Sequence, residues 1–253
     1  MKAHFRCKTT IVMALVALTS VASSAGAQQI VGFGAAEWSP NRRTVQLLGA
    51  AVSSGLPGWS PVFTVTGLRF TFPTGPDESA DAFAIAQSLG MRFQTETYST
   101  GLHVGYIFID DDEDEISPIT GSPVGGDDGV FATVQHDYWG RGDRIGQLFA
   151  TYNFGGEYLW SRAKGAVRVP SITSPLFLGA EAIIQGGGDD EDDFGFDDMW
   201  ILQAGPVLAF QVTPNFRIDL SGGVWVPIED PADEGTGGYG RIEFVAVLPR
   251  LFR

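Results

Sequence analysis

The chain has 253 residues, thirty carboxylates against sixteen basic residues, a net charge of −14 and a single cysteine. So acidic a polypeptide is repelled by nucleic acid, which removes that class of partner. One thiol cannot form an internal disulfide or a multi-thiolate metal site.

Residues 1–27 have the layout of an export signal. Lys2, Arg6 and Lys8 give a positive start, Ile11 to Leu18 an apolar core, and Ala25-Gly26-Ala27 a small-residue cleavage site ending at Ala27. The lone cysteine, Cys7, lies inside this segment and would leave with it. Three basic residues and no acidic ones go with the signal, so the mature chain would hold thirteen basic against thirty acidic residues, net −17. Beyond it, Val45–Gly67 and Met199–Phe216 are free of charge, but proline and glycine interrupt both, so they read as strands rather than spanning helices. The expected organisation is a signal at 1–27 and one β-barrel domain at 28–253.

Twelve strands are predicted, near 29–38, 44–53, 62–72, 82–95, 98–109, 129–139, 144–154, 157–169, 175–186, 199–212, 215–227 and 239–248. The clearest is Phe83–Gln94. Phe83, Ile85, Gln87, Leu89, Met91 and Phe93 form one face, and Ala84, Ala86, Ser88, Gly90, Arg92 and Gln94 the other. It is longer than an average strand of about 5–6 residues and suits a tilted membrane crossing, which takes about 9–11. The bulky face is expected in lipid. Glycines within the strands, such as Gly49 and Gly105, suggest bends or crowded interior positions.

The connections extend the pattern. The segments after predicted strands five, nine and eleven carry nineteen of the thirty carboxylates, whereas the connections after even strands are short and nearly uncharged. In an up-and-down meander, the three acidic segments emerge at one end. Long loops at one rim and tight turns at the other are the pattern of bacterial outer-membrane barrels, whose even strand number returns both chain ends to the periplasmic side. The fold class expected is therefore all-β: a closed antiparallel up-and-down transmembrane β-barrel of about twelve strands, within ten to fourteen. All six tryptophans (Trp38, Trp59, Trp139, Trp160, Trp200 and Trp225) fall near predicted strand ends, where an interfacial girdle belongs.

Two sets of charges are candidate sites. Arg69, Arg92, Arg162, Lys164, Glu181, Arg217, Asp219, Arg241 and Glu243 lie within predicted strands. A charge at the bilayer midplane costs about 2–4 kcal/mol, which places them in the lumen, as a paired network closing it or as a pore lining. In the acidic loops, Asp110, Asp112 and Asp114 imitate the start of an EF-hand, but Glu115 stands where its turn glycine belongs and Gly121 where its bidentate acid belongs. The expectation is solvated loops without a cofactor. Weak, non-specific Ca²⁺ or Mg²⁺ binding at Asp110, Asp112, Asp114, Asp189, Glu191 and Asp193 would bridge to lipopolysaccharide. Catalysis is not expected. The two mature histidines, His103 and His136, are the only imidazole bases, both read as hydrogen-bonded lumen residues, and there is no Gly-x-Ser-x-Gly or His-Glu-x-x-His motif.

Short motifs across about two thirds of the mature chain carry a resemblance. These are Gly55–Trp59 leading to Arg69, Gly105-Tyr106, Leu178-Gly-Ala-Glu181-Ala182, Gly205-Pro206 and Gly238-Tyr239-Gly240-Arg241. In these the chain resembles the outer-membrane barrel family of the cellulose biosynthesis protein BcsS, with Gly-Ala-Glu where that family has Gly-Pro-Glu. The resemblance implies a non-enzymatic accessory to cellulose or other exopolysaccharide secretion, or to surface organisation, with a polysaccharide export complex and outer-membrane lipid as partners. The residues alone leave two alternatives open: a small-solute porin-like channel and an outer-membrane lipid-modifying enzyme.

Overall fold

Period-two alternation between short turns builds twelve antiparallel strands among the described residues. The structure is a computed structural model, and it describes residues 29–39, 44–73, 79–110, 128–140, 142–170, 175–187, 200–229 and 235–249. The strands are β1 (Gln29–Trp38), β2 (Thr44–Ser53), β3 (Gly58–Pro73), β4 (Ser79–Gln94), β5 (Tyr98–Asp110) and β6 (Gly129–Tyr138), followed by β7 (Arg144–Asn153), β8 (Tyr158–Arg168), β9 (Leu176–Gly186), β10 (Trp200–Thr213), β11 (Phe216–Glu229) and β12 (Gly237–Pro249). Each pairs with its neighbour in sequence, and β1 pairs with β12 from Gln29↔Pro249 to Trp38↔Gly240, so the sheet closes into a barrel.

β3, β4 and β12 start earlier than the sequence predicts. β3 begins at Gly58 rather than near residue 62, although Pro61 lies inside it. The β2 ladder reaches β3 only at Ser53↔Val62, so Gly58 to Pro61 pair with β4 alone and the missing proline N–H has no partner to disappoint. Pro206 is tolerated in the same way: the β10–β11 ladder passes from Ala204↔Val224 to Val207↔Ser221 without it.

The bulky side of β4 faces outward. Leu89 is 65% exposed, while Ala82 and Ala84 on the other side are buried. Leu48, Leu102, Val104, Leu148 and Val167 continue this exposed apolar surface around the barrel. Two of the six tryptophans depart from the expected girdle. Strand parity turns Trp160 and Trp225 inward, Trp160 beneath the Arg241 guanidinium and Trp225 fully buried against Ile201 and Tyr239.

Glycines make room for aromatic rings directly across a ladder. Gly34 faces Phe244, Gly49 faces Phe33 and Gly105 faces Phe131. A methyl group at Gly105 would come within 2.5 Å of the Phe131 ring and overlap the Gln87 carbonyl oxygen. Such a ring covering a glycine on the adjacent strand restores the packing that the missing side chain gives up.

The strand directions put the openings after β5, β9 and β11 at one rim, here the loop rim. At the opposite turn rim the connections are tight: the Thr95 hydroxyl accepts the N–H groups of Thr97 and Tyr98 between β4 and β5, and Pro214-Asn215 alone joins β10 to β11. The acidic residues assigned to weak cation binding lie outside the described residues, save Asp110, whose backbone ends β5. The signal segment lies outside them too.

Two substitutions test this packing. Leu48→Arg, in the middle of the outer face of β2, is expected to lower stability by about 2–4 kcal/mol relative to Leu48→Ala, read from denaturant unfolding in phospholipid vesicles. Gly105→Ala should cost about 1–3 kcal/mol by overpacking and should lower the temperature at which the barrel loses its compact gel mobility.

Candidate functional site: charges across the barrel interior

Inward-facing residues of β8, β9, β11, β12 and β1 meet in one connected layer. The Arg162 guanidinium donates to Glu181, with Nε to Oε2 at 2.8 Å, and also to Glu243. Lys164 Nζ lies 2.7 Å from Asp219 and 2.8 Å from Glu243. Asp219 also meets Arg217 Nε at 2.9 Å. Arg241 pairs with Glu37 and lies 4.0 Å from Glu243. Neutral groups complete the carboxylates: Tyr239 donates to Glu181 at 3.0 Å and Gln203 Nε2 to Glu37 at 2.7 Å.

The layer holds four cations (Arg162, Lys164, Arg217 and Arg241) and four anions (Glu37, Glu181, Asp219 and Glu243), so its formal charge is zero. Several of its contacts link strands that are not neighbours, such as β8 to β12 and β8 to β11, so the side chains cross the interior. Ile145, Ala166, Phe177 and Ala209 close it off toward the turn rim, and Ile201, Trp225 and Tyr239 toward the loop rim. The charged side chains on this side are largely buried.

The wall from β1 to β5 differs. Its inward residues are mostly small, and Val31, Phe33, Ala35, Ala51, Thr64, Thr66, Ala86 and His103 keep partial exposure in the interior. At the loop rim this accessible strip meets an apolar cluster of Leu68, Phe70, Ala82, Ala84 and Ile107. At the turn rim it meets Arg92, whose guanidinium reaches along the wall to Ser53 on β2 and to Gln29 Oε1 on β1 at 3.2 Å. On the far side of β5, Asp137 of β6 accepts from Gln135 at 2.6 Å and from Gln147 at 3.0 Å. Gln147 in turn accepts from Arg162 at 3.4 Å, joining Asp137 to the charge layer.

Of the predicted lumen charges, Arg162, Lys164, Glu181, Arg217, Asp219, Arg241 and Glu243 come together here, and Arg92 stands apart on the other wall. Arg69 is a correction. It lies on the outer face near the loop rim, its guanidinium 5.7 Å from the Phe83 ring. Placing every strand charge inside assumed the midplane cost; near an interface that cost falls to about 0–1 kcal/mol, and a long side chain can extend to water. His136 is a second correction. It faces outward and bonds Thr100 Oγ1 through Nδ1 at 2.8 Å, whereas His103 faces inward against Gly90 and Gly101. The two imidazoles occupy opposite faces of the wall and cannot share one site.

Glu37 escaped notice because β1 shows misleading alternation: Val31, Phe33 and Ala35 face in, while Gly32, Gly34 and Ala36 face out. Gln203 on β10 and Tyr239 on β12 are neutral, so a search for charges within strands passes over them. Asp137, inside predicted strand six, could have been found by the rule that picked out the other strand charges. Among the described residues, no group of three or more potential metal ligands is gathered.

Comparison with solved structures bears on the fold. An outer membrane channel from Pseudomonas putida F1 superposes with a TM-score of 0.54 at 10% identity, over 88% of this chain and 96% of that one. KdgM porin gives a TM-score of 0.45 at 8% identity, over 85% and 98% of the two chains. The β domain of the Bordetella autotransporter BrkA gives 0.45 at 10% identity, over 89% and 100%. No protein-family model and no curated protein matches the chain. The fold is that of the outer-membrane β-barrels: a closed, twelve-stranded antiparallel barrel with charges held inside.

Removing one partner from the charge layer strands the rest. Arg162→Met would leave Glu181 and Glu243 short of their shared cation and is expected to destabilise the barrel by about 3–5 kcal/mol. Adding Glu181→Gln and Glu243→Gln to it should recover a large part of the loss. Unfolding midpoints in one detergent would show both.

Proposed function

We propose that the mature chain is an outer-membrane channel for small solutes, exported by residues 1–27, with its turn rim toward the periplasm and its acidic loop rim outside. The observation that carries this is the asymmetric interior. Ion pairs and apolar clusters fill the β7–β12 side, while the β1–β5 wall is lined by alanine, threonine and other small inward residues that keep exposed surface. A barrel that served only as a scaffold would have no need of that strip. The neighbour from Pseudomonas putida F1 is itself an outer membrane channel, which agrees with this reading.

The narrow point of the route is the apolar cluster around Phe70 and Ile107 near the loop rim. An apolar constriction regulates flow by excluding water when it is tight. The exopolysaccharide accessory role and its export-complex partner rest on short glycine-dominated motifs, and the accessible interior strip favours transport instead. Lipopolysaccharide and phospholipid are then the surroundings of the barrel, with any divalent cations held loosely at the acidic rim.

Purified protein in a planar bilayer should give steady unitary openings, and Ile107→Ala should raise the unitary conductance by widening the constriction. An electrically silent wild type, with the barrel intact by its heat-dependent gel shift, would sink the channel reading in favour of an accessory role.

A further inference from the structure

The charge layer cancels itself, so it cannot give the interior a preference between cations and anions. The charges that remain inside are the informative ones. Arg92 is bonded, among the described residues, to the neutral groups Gln29 and Ser53. Asp137 is likewise bonded to two neutral amides, Gln135 and Gln147. The pairing register aligns Arg92 with Gly101 and Gly101 with Gln135, so Arg92 and Asp137 sit at nearly the same level with only β5 between their strands. The inward residues of the intervening strand are small, Ser99 and Gly101, with His103 one step further up. The His103 ring lies back over Gly90 and Gly101, so an imidazole is the one β5 side chain placed between the two charges at their own level.

We infer that Arg92 and Asp137 are the selectivity residues of the periplasmic mouth, a cation turned toward the β1–β2 side and an anion turned toward the β7 side, set two strands apart along one wall of the route. This rests on the channel reading above and specifies the solutes concerned as small charged ones. An anion would pass along the Arg92 side, where the Gln29 amide and Ser53 hydroxyl add polar contacts, and a cation along the Asp137 side. A solute bearing both charges would be turned to present its carboxylate to Arg92 and its ammonium to Asp137. Among the described residues neither is held in a direct ion pair, so each keeps part of its field available to a passing ion.

The experiment is the reversal potential of single channels in a KCl gradient, for wild type, Arg92→Gln, Arg92→Lys and Asp137→Asn. A unit charge about 6 Å from an ion in water-like surroundings changes its local concentration about threefold. Arg92→Gln should therefore lower the chloride-to-potassium permeability ratio about threefold, and Asp137→Asn should raise it by a similar factor. Arg92→Lys, which keeps the charge, should leave the ratio near that of wild type. Unchanged ratios in Arg92→Gln and Asp137→Asn, from a wild type that conducts, would overturn the selectivity assignment and leave the channel standing. A silent wild type would remove both. Should Arg92→Gln not assemble, the Asp137→Asn shift decides alone, since the pair predicts its sign.

Discussion

Hydrocarbon offers no hydrogen-bond partner, so a sheet that crosses it can leave no row of backbone groups unpaired. The β1–β12 ladder meets this constraint by joining the first described strand to the last over ten residue pairs. Much else is a consequence. Twelve strands return the first and last of them to the same rim, and short turns collect there while the longer segments gather opposite. Proline survives only where the ladder is one-sided or skipped, as at Pro61 and Pro206.

Closure leaves an interior to be filled, and the two walls solve this differently. From β7 to β12 the space is occupied by long side chains, with ion pairs between apolar layers. Burying so many charges adds little net stability in itself, because desolvation offsets the attraction between them. Their larger effect is on orientation. A strand shifted by one residue turns every side chain to the opposite face, and for β8 that would drive Arg162 and Lys164 into lipid. Inward charges thus hold β8, β11 and β12 to a single facing in a chain whose outer positions are interchangeably apolar. Sharing Glu243 among Arg162, Lys164 and Arg241 binds β8 and β12 across the interior.

From β1 to β5 the opposite choice is made: small side chains, few charges, and surface left open along the wall. On the channel reading proposed above, the walls would leave a route displaced to one side of the barrel, beside a neutral charge layer. The division follows from residue size. Inward alanine, threonine and serine cannot span to the far wall, whereas arginine, lysine and glutamate can.

How much of this was legible without coordinates depends on the range of the interaction concerned. Strand number, the outward side of β4, and the gathering of acidic segments at one rim follow from period-two alternation and the parity of connections, which are local properties. The presence of charges in strands was equally plain. Their partners were not: Arg162 and Glu243 are 81 residues apart, and Arg241 and Glu37 are 204 apart, so only closure of the ring brings them together. Height in the membrane was also invisible, which is why Arg69 was assigned to the lumen; Trp160 and Trp225 were assigned to the girdle from nearness to a strand end alone, although each shares the parity of the inward charges on its own strand. Alternation states that neighbouring side chains face opposite ways; it does not say how far along the strand the lipid ends or what stands across the ring. Those are properties of the assembled barrel, set when shear and closure align twelve strands at once.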